Sequence, residues 1–208
     1  MHALGLAVSM YASACVAHRL DPAAAPWSPA VDAARPGVTA EHEAYVVRGQ
    51  RPEAVRRALN HRSTWRDASG ERFDGGTAWS LQWRHQFEST SSGCRIIGIQ
   101  FHGAITVTTP SLRVWRVPDR KLSNRWHAYL DALWTHEQHH VARVYAAIDE
   151  AHHVVASLPE QPTCAAAGTA GNAAVQTVFA AMNIDQVAYD TETSHGQVEG
   201  AFWDVPER

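Results

Sequence analysis

The sequence predicts an α+β domain, with a small mixed or antiparallel sheet packed on one long helix and a helical C-terminal part. Three observations carry this. Residues Thr77 to Phe87 alternate strictly between apolar or aromatic and polar side chains, the period of a half-buried strand. Leu122 to Leu158 contains neither Gly nor Pro and repeats its apolar residues at helical spacing. Cys164 to Met182 is Ala-rich, with Val175, Val178 and Phe179 spaced as on one helix face.

A length of 208 residues suits one ordinary domain with a flexible leader, and 45% apolar against 19% charged residues describes a globular chain. A net charge of −3 gives no electrostatic footprint for nucleic acid. Leu4 to Val16 is apolar, rich in small residues and too short to span a bilayer, so residues 1–17 read as a signal peptide. Either Ala12-Ser13-Ala14 or Cys15-Val16-Ala17 offers a small-residue cleavage site, and Cys15 is also an approximate site for a lipid anchor. Removal of this segment leaves no integral membrane segment, and the mature protein is expected to be secreted or periplasmic.

Residues 18–40 hold Pro22, Pro26, Pro29 and Pro36 without periodicity and read as an Ala/Pro-rich linker. The domain is expected over 41–208, opening with a short strand at Ala44–Val47 and the turn at Gly49. Pro52 suits the first turn of a helix that places Ala54, Val55, Ala58 and Leu59 on one face. After the turn-rich stretch from Ser69 to Gly76 comes the strand from Thr77. The Ser89–Gly93 loop turns the chain back into Cys94–Thr109, where Ile97, Ile99, Phe101, Ile105 and Val107 share one parity. Gly103 suggests a bulge or a close backbone approach, and Pro110 is expected to end the strand. Ser123 is the expected cap of the long helix, Pro159 its stop, and Asn183 the end of the second helix, antiparallel to the first.

The long helix carries His136-Glu137-Gln138-His139-His140. Residues at i and i+4 share a helix face, so His136 and His140 can converge on one tetrahedral zinc while Glu137 reaches a zinc-bound water. The trio falls on the apolar stripe with Trp126, Tyr129, Leu133, Val141 and Val144. Ionisable groups facing a core are costly unless partnered, and a metal is such a partner.

A third ligand must come from beyond the helix. Glu150 lies ten residues past His140, about 15 Å along the axis, whereas zinc–ligand bonds are about 2 Å. Glu160, Asp185, Asp190, Glu192, His195, Glu199 and Asp204 follow the turn. His195 is the best of these: Gly196 permits close approach, and Asp190 or Thr193 could fix the ring's tautomer. Tyr189 is a candidate oxyanion donor. Besides Cys15, only Cys94 and Cys164 are present; a bridge between them would close a loop of about seventy residues worth about 4 kcal/mol. Two cysteines do not decide between a bridge and two buried thiols.

From Tyr45 onward the chain resembles the bacterial family of predicted secreted zinc-dependent proteases also called domain of unknown function 922. The resemblance rests on Tyr45-Val46-Val47-x-Gly49, Thr77-x-Trp79-x-x-x-Trp83 and Gly93-Cys94. It continues through Trp126, His136-Glu137-x-x-His140, Cys164, Tyr189-Asp190-x-x-Thr193-x-His195-Gly196 and Gly200-Ala201. It implies a zincin-like metallopeptidase domain with an export signal, and favours a Cys94–Cys164 disulfide.

The expected function is zinc-dependent hydrolysis of peptide bonds in a peptide or protein substrate. His136, His140 and His195 would hold Zn2+, and Glu137 would be the general base. The same groups would serve an amidase or esterase acting on cell-envelope material. The alternative outside enzymology is a non-catalytic exported zinc-binding interaction domain.

Overall fold

The structure, a computed structural model, describes residues 35–66, 70–114 and 119–205. The expected signal peptide, Cys15 and residues 18–34 of the expected linker lie outside the described residues. Six main elements follow in order: β1 (Val38–Arg48), α1 (Pro52–Arg62), β2 (Gly76–Ser89), β3 (Cys94–Arg113), α2 (Arg120–Ala156) and α3 (Cys164–Thr193). A 3-10 turn over Gln197–Glu199 closes the C-terminal part. The fold is α+β with a mixed three-stranded sheet, in the order β1-β3-β2.

The central strand β3 pairs parallel with β1 from Val38↔Gly103 to Arg48↔Arg113, and antiparallel with β2 from Gly76↔Thr108 to Ser89↔Cys94. β1 begins at Val38, three residues before the expected start of the domain at Glu41, because it is the full parallel partner of β3. Pro110 does not end β3. The ladder with β2 has already stopped at Thr108, so a residue without an N–H is tolerated where that side of the strand has lost its neighbour. Ile97 is the other correction. A bulge between Gln86 and Phe87 skips it, leaving Ile97 57% exposed while Ile96 turns inward to pack on the core. One extra residue reverses the parity beyond it. Gly103 does mark a close backbone approach: at φ +150°, a Cβ there would fall 1.9 Å from the Ser80 carbonyl oxygen.

The N-cap of α2 is Asp119, whose Oδ1 accepts from the Leu122 amide at 2.7 Å; Ser123, the expected cap, lies inside the helix. The α3 helix does not stop at Asn183 but continues to Thr193, and Gln186 and Asp190 of α3 meet His140 and His136 of α2 in the reversed order of an antiparallel pair. Cys94 and Cys164 form a disulfide spanning 70 residues, which ties the start of α3 to the start of β3.

Two cores share α2. Val141, Val144, Tyr145, Ile148 and Val155 pack with Leu81, Phe101, Ile105, Val175 and Phe179 between the sheet and the helix pair. Leu122, Trp126, Tyr129 and Leu133 pack with Val47, Val55, Leu59 and Trp203 on the other side. Each such aliphatic side chain contributes about 1.5–3 kcal/mol on burial. The boundary between the two cores on α2 falls at His136, Glu137 and His140. Among the described residues, no helix is long and apolar enough to cross a membrane.

Candidate metal centre

The helical period of α2 that buries Leu133 and Val141 also buries His136, Glu137 and His140, at 3%, 3% and 8% exposure. The Nε2 atoms of His136 and His140 lie 3.2 Å apart, and Asp190 Oδ1 from α3 lies 3.2 Å from His136 Nε2 and 3.0 Å from His140 Nε2. The other ring nitrogens are engaged: His136 Nδ1 donates to Glu199 Oε2 at 2.9 Å, and His140 Nδ1 donates to Gln186 Oε1. These acceptors fix the tautomer in which the neutral imidazoles turn their Nε2 lone pairs toward each other and toward a carboxylate. Three electron-pair donors at this separation repel unless a cation lies between them.

The donor set fits one. Tetrahedral ligands at about 2.0–2.1 Å from zinc stand about 3.3 Å from one another, close to the separations found here. Among the described residues, His136, His140 and Asp190 form the one such group of metal-ligand type.

Glu137 lies beside this nest, with Oε2 accepting from Thr77 Oγ1 at 2.8 Å. Burial pushes its carboxyl up, against the downward pull of His140, Thr77 and His136. Burial pulls the His136 and His140 imidazoles down, but Asp190, Glu199 and Glu137 outweigh it at His136, as Asp190, Glu137 and Gln186 do at His140, and both end up raised. Asp190 moves the opposite way: burial raises it, yet the two imidazoles hold it well below the usual carboxylate range.

Backbone geometry brings the closing segment onto the helix. Ser194 and His195 both adopt left-handed φ, at 51° and 52°, followed by Gly196 at 79°. Two successive non-glycine residues in this region are costly and must be held by their surroundings. Here Thr193 Oγ1 accepts from the Gly196 amide at 3.1 Å. The reversal lays Gly196 on the His136 ring, where a Cβ would fall 2.9 Å from Cγ, and carries Glu199 round to Nδ1.

A cavity of about 630 Å³ opens onto the nest and is walled by His136, Glu137, His140, Asp190 and His195. His195, the third ligand expected from sequence, stands at its edge: Nδ1 is 3.7 Å from Asp190 Oδ1, and the ring lies 3.9 Å from that of Phe73. Tyr189, the expected oxyanion donor, does not line the cavity. Its hydroxyl bonds to Glu199 and to His139 Nδ1, and its ring stacks on His136 at 4.9 Å. Sequence reading did not find Thr77 or Gln186; it weighed Asp190 as a substitute for His195 or as the partner fixing that ring's tautomer, and Glu199 as a substitute for His195. The available signal was polar: Gln186, Tyr189 and Thr193 continue, past Asn183, the inward stripe of α3 that includes Met182.

The sequence profile of the bacterial proteins of unknown function, DUF922, matches residues 42–196, three quarters of the chain. The chain belongs to the DUF922 family. The matched span covers the motif on α2, both disulfide cysteines, Asp190 and His195, and stops just before Glu199. The DUF922 description assigns no chemistry to these residues. No curated protein and no solved structure matches the chain.

Proposed function

We propose that this DUF922 protein is an exported, zincin-like zinc hydrolase that cleaves peptide bonds. The observation that carries the reading is the convergence of His136 Nε2, His140 Nε2 and Asp190 Oδ1 within 3.2 Å of one another, with the Glu137 carboxyl buried beside them. Two histidines and one carboxylate alone would also suit non-haem iron. A buried carboxylate next to the open side of the nest favours hydrolysis, which needs a proton acceptor there. The Cys94–Cys164 disulfide supports export, since such bonds persist in oxidising compartments.

His136, His140 and Asp190 would hold the metal, with His195 beside Asp190 on the cavity wall. Bound zinc would supply Lewis acidity, polarising a carbonyl and acidifying water to a pKa of about 7. Glu137, steadied by Thr77, takes the proton from the attacking water and later passes it to the leaving amine. Burial raises the Glu137 carboxyl, which favours its holding the proton between the two transfers. Glu199 and Gln186 keep the two imidazoles in their ligating tautomer. Gly75, Gly76, Thr77 and Trp79 line the cavity at the start of β2, and among the described residues no strand pairs with the outer side of β2. An extended peptide can add to that edge as a further strand.

Elemental analysis of untagged protein tests the centre. Wild type is expected to carry about one zinc, with marked loss in His140→Ala and in Asp190→Asn. Loss in His195→Ala with retention in Asp190→Asn would transfer the third ligand to His195. Glu137→Gln should keep its zinc and lose nearly all hydrolysis of a peptide library; full activity in that variant refutes the mechanism.

A further inference from the structure

The wall of the cavity beside the His–Asp nest carries two guanidiniums. Arg66 and Arg72 oppose each other as an isolated antiparallel bridge, and both line the cavity. Their Nη1 groups donate to main-chain oxygens, Arg66 to Gly70 at 3.2 Å and Arg72 to Asn60. Among the described residues neither forms a salt bridge. Arg56, in the same cavity, is the contrast: it pairs with Asp74.

Like charges directly opposed across a ladder repel, so this arrangement costs stability in the empty protein. Each of these main-chain bonds uses one nitrogen of a fork that carries five N–H donors. A planar guanidinium matches a carboxylate in bidentate fashion, and two adjacent forks gain from an anion placed between them. Trp65 and Phe73, also in the cavity wall, supply apolar surface next to the charge.

We propose that Arg66 and Arg72 form a carboxylate-binding subsite, selecting peptides with a carboxylate a short distance from the bond that is cut. The carboxylate is that of an acidic side chain or of the peptide's own C-terminus. This rests on the hydrolase reading for the act of cleavage, but the subsite is a matter of binding and is measurable separately. Because both arginines are exposed, the preference is moderate and sensitive to salt.

The experiment uses full-length, zinc-loaded Glu137→Gln protein and three fluorescent peptides of otherwise identical sequence. One carries Glu with an amidated end, one Gln with a free C-terminus, and one Gln with an amidated end. At least one carboxylate peptide is expected to bind about tenfold more tightly than the fully neutral one. The preference should shrink severalfold at 1 M salt, and it should fall to less than twofold when Arg66→Gln and Arg72→Gln are added. The Glu peptide and the free-acid peptide distinguish the side-chain source from the terminal one. Equal binding of all three, binding of none, or a preference indifferent to salt and to both substitutions overturns the subsite. Failure of wild type to cleave any of these peptides while the binding preference persists overturns the hydrolase reading alone.

Discussion

Thr77→Val isolates a single hydrogen bond at the proposed base. The replacement is nearly isosteric, and valine suits the first residues of β2 as well as threonine does. It removes the 2.8 Å bond to Oε2 of a carboxylate that is 3% exposed. Hydrogen bonds to buried charged groups contribute about 1.5–3 kcal/mol, so ionised Glu137 loses about that much while the protonated form loses less. The Glu137 carboxyl, already raised by burial, rises further. A base that must be ionised then demands a higher pH. The acid limb of kcat/KM should move upward, with a loss of about ten- to a hundredfold on that limb and recovery in alkali. Zinc content should not change. Urea unfolding gives a readout that needs no substrate: destabilisation of about 1.5–3 kcal/mol at pH 8, and less at pH 4, where Glu137 is protonated. Superimposable pH profiles and equal destabilisation at both pH values would refute the claim that Thr77 acts through this carboxylate.

Metal-free protein should lose stability as pH rises through the raised pKa values of His136 and His140, whose stabilisation is complete below their ordinary value of 6.5. It should also lose stability in acid, because lowered Asp190 stabilises the fold above its ordinary 3.8 and fails as pH falls through its folded value. Calorimetry without zinc should therefore find an optimum between these limits, and saturating zinc should move it to higher pH, since protons and metal compete for the same nitrogens. Paired Cys94→Ser and Cys164→Ser substitutions should cost about 4 kcal/mol by the loop-closure argument, read as a drop in thermal midpoint of roughly 10 °C. Gly196→Ala meets both a left-handed φ and the His136 ring at 2.9 Å; zinc affinity by competition with a chelating dye should fall at least tenfold.

Where hydrophobic spacing and chemistry coincide, the sequence was sufficient. The strand from Thr77 follows from an apolar alternation of period two, and the run of α2 with the burial of His136, Glu137 and His140 from an apolar period of about 3.6. The same rule failed on α3 because its last turns bury Tyr189 and Thr193, set the half-buried Gln186 against His140 of α2, and leave Ile184 and Val187 about 70% and 67% exposed. A helix whose inner face is polar and whose outer face is apolar does not look like a helix to a hydrophobicity count. The bulge that skips Ile97 and the continuation through Pro110 depend on what lies beside β3, and no local pattern in β3 carries that information.

The disulfide has a geometric consequence for the centre. It fastens α3 at Cys164, and Asp190 sits 26 residues further on, about 39 Å along the axis. Over that length a tilt of one degree at the fastened end swings the carboxylate by about 0.7 Å, whereas metal–ligand distances tolerate only about 0.2 Å. The long helix is thus a lever, and its pivot is a covalent bond that reductant can open. Angular slack at the far end of the molecule, rather than any change in the histidines, would be enough to spread the donors.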